Sequence, residues 1–310
     1  MLFDGSIGPF ITSEFMTMKK YIYALGFFDG VHLGHQALLS QCRHLASELG
    51  CQTAAITFDR HPQALFTPTP PLLISSTEDR LLLLKKYGMA QVNILPVSND
   101  VMSTYWEDFL RKLTEKGAVG FVCGDDFRFG AKGEGNCEKL RSFCAQHSLP
   151  CIILPEQDLD GRRISSTRIR QALENGDLNE ANRLLGHPYT LTGTVVTGQA
   201  LGRTIGVPTA NVHLPEGILC PAFGVYACKA TVAGTTYPAV TNIGTRPTVG
   251  GRGVTIEPWL LDFEGDLYGK QLTLEFFAYL RPEKKFPDLQ ALQQEILKNA
   301  AETRKIFEKT

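Results

Sequence analysis

Short apolar runs alternate with amphipathic stretches over residues 20–186. The apolar runs predict five buried strands, at residues 21–25, 51–58, 92–96, 118–123 and 151–154. Several stretches between them carry apolar side chains at helical spacing and stop at a glycine, as at Gly50, Gly88 and Gly117. Strands that alternate with helices in this way form a parallel sheet covered on both faces. We therefore predict an α/β fold with a doubly wound parallel sheet for this part of the chain.

The pattern changes after His187 and Pro188. Short strands separated by glycine- and proline-rich turns are predicted at residues 191–196, 224–232, 237–241, 254–261 and 271–280. They favour a small antiparallel barrel, closed by one charged amphipathic helix at residues 288–309. We predict two domains, 18–186 and 187–310. Residues 1–15 fit neither pattern and are set aside as an appended leader, with Met16 or Met18 as the expected start.

Composition and charge exclude several classes of protein. The 310 residues include 31 basic and 32 acidic side chains, a balance that argues against binding nucleic acid through bulk positive charge. No apolar stretch approaches the roughly 18 residues of a membrane span, and no signal-peptide pattern opens the chain. The eight cysteines contain no Cys-x-x-Cys pair, and several lie in apolar runs, where free thiols act as small hydrophobes. We expect a cytoplasmic protein with reduced thiols and neither nucleic-acid nor membrane partners.

The first candidate site is the glycine-rich segment between the first predicted strand and the first helix. This segment, residues 26–35 and called here the histidine turn, reads Gly-Phe-Phe-Asp-Gly-Val-His-Leu-Gly-His. Ligands of doubly wound sheets bind at this end of the strands, and free helix N-terminal amides attract phosphate. His32 and His35 are candidate hydrogen-bond donors to a phosphoryl group in its transition state. The alternative is an ordinary turn with two solvent-exposed histidines, which the three glycines and the strand-turn-helix position disfavour.

A second candidate site opens a late helix at residues 164–170. Ser165, Ser166 and Thr167 are ordinary capping residues. Capping does not explain Arg168 and Arg170, because cations are unfavourable at a helix N-terminus unless an anion is bound there. The combination suits the distal phosphates of a nucleoside triphosphate. Two weaker signals follow strands at residues 57–62 and 124–130, and neither a Walker A sequence nor a Gly-x-Gly-x-x-Gly fingerprint is present.

In order along the chain, these four segments resemble the His-x-Gly-His nucleotidyltransferases, and among them the prokaryotic bifunctional FAD synthetases. The resemblance implies a Rossmann-like nucleotidyltransferase domain that converts ATP and FMN into FAD and pyrophosphate. It implies catalytic roles for His32, His35 and Arg168. It further implies that ATP is bound by Gly26, Phe28, Asp29, Gly30, Gly34, Asp126, Ser165, Ser166 and Thr167, and the flavin by Asp59, His61 and Pro62. Phe27 departs from the asparagine common in that family.

The most distinctive stretch of the second domain is residues 198–211. Its glycines Gly198, Gly202 and Gly206 suggest a flap over phosphates. Thr209 and Asn211 offer two oxygen ligands on one side of an extended segment, and oxygen ligands suit Mg2+. From local sequence alone, a barrel hairpin with glycine turns explains this stretch about as well as a phosphate-binding flap does.

The Pro-Thr-Ala-Asn sequence at residues 208–211 resembles that of riboflavin kinases, as does the loop at residues 241–248. The resemblance implies that Gly198, Gly202, Gly206, Thr209 and Asn211 bind ATP, with Mg2+ on the last two. It implies flavin binding by Asn242, Thr245 and Arg246, with Glu257 as the base for the riboflavin 5′-hydroxyl. Pro258-Trp259 replaces the usual residue-then-histidine, and a proline there predicts an edge or bulged strand.

The leading interpretation is a cytoplasmic bifunctional enzyme that phosphorylates riboflavin to FMN and adenylylates FMN to FAD. Its expected partners are riboflavin, FMN, FAD and ATP, with Mg2+ as cofactor. One alternative is a monofunctional FMN adenylyltransferase whose barrel is only a flavin-binding or regulatory domain. Another is a flavin-sensing regulatory protein. Both phosphoryl-transfer motifs are intact, which disfavours a sensor because a sensor needs no such groups.

Overall fold

Two sheets organise the chain. The computed structural model describes residues 19–197, 202, 206–248 and 251–308, so the leader expected at residues 1–15 lies outside the described residues. The first sheet contains β1 (Tyr21–Leu25), β2 (Gln52–Phe58), β3 (Gln91–Leu95), β4 (Ala118–Gly124) and β5 (Cys151–Leu154). All four pairings are parallel, in the order β3-β2-β1-β4-β5. The predicted doubly wound sheet is confirmed, with β1 at its centre.

Seven helices accompany this sheet among the described residues. They are α1 (Leu33–Glu48), α2 (Thr77–Lys86), α3 (Asn99–Met102), α4 (Trp106–Glu115), α5 (Cys137–Gln146), α6 (Ser166–Glu174) and α7 (Leu178–Leu185). Polar side chains set their starts: Ser76 caps α2, and Ser165 caps α6 by accepting the Arg168 N–H. A short hairpin, β6 (Asp158–Leu159) and β7 (Arg162–Arg163), precedes α6. No helix in the described part of the chain is long and apolar enough to span a membrane.

The second sheet closes into an antiparallel barrel. Its strands are β8 (Tyr189–Val196), β9 (Asn211–Val212), β10 (Gly224–Val232), β11 (Thr235–Thr248), β12 (Gly251–Leu260) and β13 (Gln271–Arg281). They follow one another around the barrel in the order β10-β11-β12-β9-β8-β13. The final helix, α8 (Leu289–Glu308), packs against β10 and β11. The predicted barrel and closing helix are therefore confirmed.

β11 is much longer than its sequence pattern predicts. A strand was expected at residues 237–241 followed by a loop, because Gly244 and Pro247 are turn signals. The ladder with β12 instead continues without interruption from Ala239 to Thr248, while β10 pairs with β11 from Thr235 to Ile243. Residues as far as Ile243 have partners on both sides, and beyond Ile243 the β12 ladder alone holds the segment extended and overrides the local turn signals.

Pro258 fits into β12 without a bulge against β11. The Leu261 N–H donates to the Pro238 carbonyl at 2.8 Å, and the β11–β12 register is unbroken. Hydrogen-bonded positions alternate in an antiparallel pair. The backbone N–H and C=O groups of Trp259 and Glu257 therefore also point towards β11, whereas the Pro258 nitrogen points away from it. On that other side, β12 pairs with β9 only at Ile256. The expected bulge against β11 is wrong, and Pro258 is not at an open edge either, because its carbonyl accepts the Ala210 N–H at 2.9 Å.

The core of the barrel continues into the helices that precede it. Leu184 and Leu185 of α7 lie in one buried cluster with Tyr189 and Phe276 of the barrel. Asn182 also links the two parts, since its side chain donates to the Phe276 carbonyl at 2.9 Å and accepts the Tyr189 N–H at 2.7 Å. The domain boundary at residues 186/187 stays a prediction. Apolar packing continues across it, from α7 into the barrel.

A fragment of residues 187–310 is expected to fold, because the barrel and α8 form a closed unit. A fragment of residues 165–310 should unfold at a temperature about 5–10 °C higher than the 187–310 fragment. It retains α6 and α7, whose apolar side chains pack against the barrel. Thermal unfolding followed by circular dichroism measures the difference. Equal unfolding temperatures would show that this cover contributes nothing.

Candidate active sites

A cavity of about 580 Å³, called here the first cavity, opens at the carboxyl ends of β1, β2, β4 and β5. It brings together most of the residues predicted for the first site, although they come from four separate segments. Those that line it are Gly26, Phe28, His32, Gly34, His35, His61, Pro62, Asp126, Ser165, Ser166 and Thr167. Asp29, Gly30, Asp59 and Arg168 are not among its lining residues. The size and lining are those of a small-molecule site.

Asp29 belongs to the histidine turn, but it does not line the cavity. Its carboxylate is buried, accepts the backbone N–H groups of Ile74 and Ser75 at 2.9 and 3.1 Å, and pairs with Arg170 at 2.7 Å. Phe28, Gly30 and Val31 have positive φ angles, which are unfavourable for the two residues with side chains. Asp29 therefore stabilises a strained turn, and a direct contact with ATP is not favoured by its position.

His32 and His35 stack face to face, with ring centroids 3.6 Å apart. The His32 Nδ1 atom accepts the His35 N–H at 3.3 Å and so caps α1, which leaves Nε2 to carry the proton of a neutral ring. Burial lowers the pKa of His32 to about 4, and burial, together with repulsion from a protonated His32 and from the Arg80 guanidinium, lowers the pKa of His35 well below its usual value. Both rings are therefore neutral at pH 7, and the pair presents N–H donors rather than fixed charges.

The two arginines of the α6 segment point in different directions. Arg170 lines the cavity, pairs with Asp29 and donates from Nε to the Leu72 carbonyl at 2.6 Å. Arg168 instead donates to the Arg162 carbonyl at 3.0 Å and pairs with Glu180, so it fastens the β6–β7 hairpin to α7. Arg163, from β7, also lines the cavity. The structure thus places Arg170 and Arg163 where the sequence prediction had placed Arg168.

An apolar pocket of about 210 Å³ adjoins the first cavity. Its walls are largely aliphatic and aromatic, and include Ile56, Phe58, Leu95, Phe109, Phe127 and Phe129. It shares Phe58, Pro62 and Phe127 with the walls of the first cavity, so the two lie side by side. Asp59 lies outside both, and its carboxylate accepts the Val97 N–H at 2.8 Å. Sequence reasoning missed this pocket because its walls come from segments far apart in the chain.

Phe27, the departure noted in the sequence, lies between the cavity and a buried arginine. The Arg80 guanidinium stacks over the Phe27 ring at 4.6 Å, and the His61 ring meets the same ring edge-on at 5.3 Å. Arg80 is fully buried, and its Nε and Nη1 atoms have no hydrogen-bond partner. The aromatic ring offsets part of the cost of burying this cation.

The barrel contains a second site made of two neighbouring cavities. The larger barrel cavity, about 350 Å³, lies between the strands and α8 and is lined by Asn242, Glu257, Trp259, Arg281 and Asn299 among others. The smaller, about 80 Å³, is lined by Asn211, Asp266 and Tyr268. Thr209 belongs to both walls. A side chain at this junction is within reach of ligands bound on either side.

The remaining predicted residues of the barrel are distributed as follows. Gly202 lines the larger barrel cavity, whereas Gly206 and Thr245 do not appear in either wall. Gly198 and the side chain of Arg246 lie outside the described residues. In the part of the chain that the structure describes, no group of three or more His, Cys, Asp or Glu side chains is arranged to hold a metal. Thr209 and Asn211 supply neutral oxygen ligands, which suit Mg2+ held mainly by substrate phosphates.

Comparison with known proteins places the whole chain in one family. A family model for FAD synthetase matches residues 15–168, and one for riboflavin kinase matches residues 185–307. A relative from Listeria monocytogenes, described as a bifunctional riboflavin kinase/FMN adenylyltransferase, is 36% identical over 97% of this chain and 96% of its own. The chain belongs to the bifunctional riboflavin kinase/FMN adenylyltransferase family.

Other members of the bifunctional family are similarly related. Those from Pseudomonas fluorescens and Escherichia coli are 37% and 36% identical over 91% and 92% of this chain, and 92% of their own lengths. A crystal structure from Streptococcus pneumoniae, described as a macrolide-efflux protein, is 31% identical and superposes with a TM-score of 0.83, covering 93% of this chain and 95% of that one. It supports the architecture of both domains. The family models leave residues 169–184, which include most of α6 and α7, unmatched.

Proposed function

We propose that this chain catalyses two ATP-dependent reactions in sequence: riboflavin phosphorylation in the barrel and FMN adenylylation in the first cavity. The products are FMN in the first reaction, and FAD with pyrophosphate in the second. The observation that carries the proposal is that one chain holds two differently built cavities. One presents the stacked His32 and His35, and the other has Glu257 and Thr209 in its wall.

In the first cavity, a phosphate oxygen of FMN attacks the α-phosphorus of ATP, and the bond to the β-phosphate oxygen breaks to release pyrophosphate. No covalent enzyme intermediate is needed, so catalysis consists of positioning and charge stabilisation. The Nε2–H of His32 donates to the phosphoryl oxygens as charge develops. The start of α6, with the hydroxyls of Ser165, Ser166 and Thr167, holds the leaving pyrophosphate, and Arg163 and Arg170 supply positive charge.

The apolar pocket is the proposed site of the FMN ring system. Phe58, Phe127 and Phe129 supply flat aromatic surface there, and Gly26 lines both this pocket and the first cavity. Gly26 is needed for the packing of this wall, because a Cβ atom at this position would lie 2.9 Å from the Phe28 ring. A flavin seated in this pocket directs its phosphate towards His32.

In the barrel, riboflavin occupies the larger cavity and the ATP phosphates reach the smaller one. Glu257 accepts the proton of the 5′-hydroxyl, whose oxygen attacks the γ-phosphorus, and ADP leaves. Thr209 and Asn211 are the proposed Mg2+ ligands, and Mg2+ bound there would neutralise charge on the phosphates. All eight cysteines are free thiols, which supports a cytoplasmic location for the enzyme.

Incubation of the full-length chain with riboflavin, ATP and Mg2+, followed by chromatography of the flavins, tests the proposal. Formation of FMN and then FAD is expected. FAD formed only from supplied FMN would favour the monofunctional adenylyltransferase. No product from either flavin would favour a flavin sensor.

The two arginines of α6 provide a sharper test of the first cavity. Arg170→Met should lower kcat/KM for FMN adenylylation by about a hundredfold or more, because it removes a cation at the phosphates and the partner of Asp29. Arg168→Met, whose side chain faces away from the cavity, should lower that value less than about tenfold. Steady-state kinetics of both variants, corrected for the folded fraction, give the comparison. A larger loss with Arg168→Met would return the catalytic role to Arg168.

A further inference from the structure

His187 lies between α7 and β8, and its buried ring connects two parts of the chain. The Nδ1 atom is 2.8 Å from the Pro188 carbonyl oxygen, next to the start of the barrel. The Nε2 atom is 3.0 Å from the Gly30 carbonyl oxygen, within the histidine turn. Gly30 is two residues from His32, so this ring touches the backbone that carries the first catalytic pair.

A neutral imidazole has one N–H and cannot donate to both carbonyls. Burial and the nearby Lys86 lower the pKa of His187, so the ring is neutral at pH 7. The Pro188 carbonyl also accepts the Thr190 hydroxyl at 3.0 Å. We therefore assign the ring proton to Nε2, which donates to the Gly30 carbonyl, because the Pro188 carbonyl still has the Thr190 hydroxyl as a donor.

The same segment holds the histidine turn at a second point. The Gln36 side-chain amide donates to the Val31 carbonyl at 2.8 Å and to the Leu185 carbonyl at 2.6 Å. The carbonyls of Gly30 and Val31 are thus both tied to residues 185–187. Val31 has a φ angle of 40°, a strained value for a β-branched residue that must be held by its surroundings.

We propose that His187 is a positioning residue for FMN adenylylation, which fixes His32 and His35 by donating a hydrogen bond from Nε2 to the Gly30 carbonyl. The proposal rests on the proposed function of the first cavity. Because His187 also precedes β8, the same bond connects the barrel directly to the adenylyl-transfer site. His187 touches no substrate in this arrangement, and it acts through the backbone of the turn.

Two amide variants of the full-length chain separate the two ring nitrogens. The amide nitrogen of glutamine lies near the position of Nε2, whereas that of asparagine lies near Nδ1. His187→Gln should keep kcat for FMN adenylylation within about twofold of the parent. His187→Asn should lower that kcat by about threefold to tenfold, the effect of one net hydrogen bond, with KM for ATP and FMN nearly unchanged. Riboflavin phosphorylation by both variants should stay within about twofold, because Glu257 and Thr209 lie elsewhere.

Three outcomes would overturn the proposal. Parental kcat in both variants would show that the bond does not position the turn. An equal loss in both would show that donation from Nε2 is not the property that matters. A parallel loss of both activities with a lower unfolding temperature would make His187 a folding residue only. Failure of the unmodified chain to adenylylate FMN would instead refute the proposed function of the first cavity.

Discussion

His32→Asn is expected to lower FMN adenylylation by about a hundredfold to a thousandfold, the usual loss when one well-placed transition-state donor is removed. The asparagine oxygen replaces Nδ1 as the cap of α1, so the helix start is preserved. The variant loses the Nε2–H donor towards the first cavity and the ring that stacks on His35. His32→Ala combined with His35→Ala should reduce FAD formation by at least as much, since the two rings act as one stacked unit.

Two controls accompany the histidine variants. His44→Ala alters a histidine on the same helix whose side chain is 69% exposed, and adenylylation should not change. Riboflavin phosphorylation should persist in every variant, because the barrel cavities contain neither histidine. Initial rates with supplied FMN and ATP give the measurement. Near-normal FAD synthesis by the double variant would remove both histidines from the mechanism.

The location of the first site could be predicted from the sequence, because strand ends, glycines and helix starts are local signals. Which arginine faces the cavity could not be predicted. Arg168 and Arg170 differ by two positions, or about 200° around a helix, so the choice depends on how α6 packs. Asp29 was misplaced for a similar reason, since its buried partners Ile74 and Ser75 lie 45 residues or more away in the chain.

In the barrel, too, short sequence motifs could be recognised, whereas features that depend on strand pairing could not be predicted. The Pro-Thr-Ala-Asn segment and Glu257 were recognised by their order along the chain, and both line the barrel cavities. The length of β11 and the position of Pro258 follow from pairing with β12, which has no signature within either strand. Trp259 faces the larger barrel cavity because it alternates with Pro258 and lies on the same face as Glu257.

Glu257→Gln is expected to lower riboflavin phosphorylation by about two to four orders of magnitude, the usual contribution of a general base. Glutamine keeps the shape of the side chain but cannot accept the proton of the 5′-hydroxyl. FMN adenylylation should be unchanged, because the first cavity takes no base from the barrel. Chromatographic assays of FMN formed from riboflavin, and of FAD formed from supplied FMN, measure the two rates on one preparation.

Glu302→Gln, on the exposed face of α8, is the matched control, and both activities should equal those of the parent. Trp259→His restores the residue common in the family, and the kinase rate should change only modestly if Pro258-Trp259 mainly alters packing. Phosphorylation at the parental rate by the Glu257→Gln protein would exclude Glu257 as the base. The hydroxyl would then have to be activated by another group in the larger barrel cavity or by its placement against the γ-phosphate alone, and the assignment of the cavity to riboflavin would have to be tested by binding.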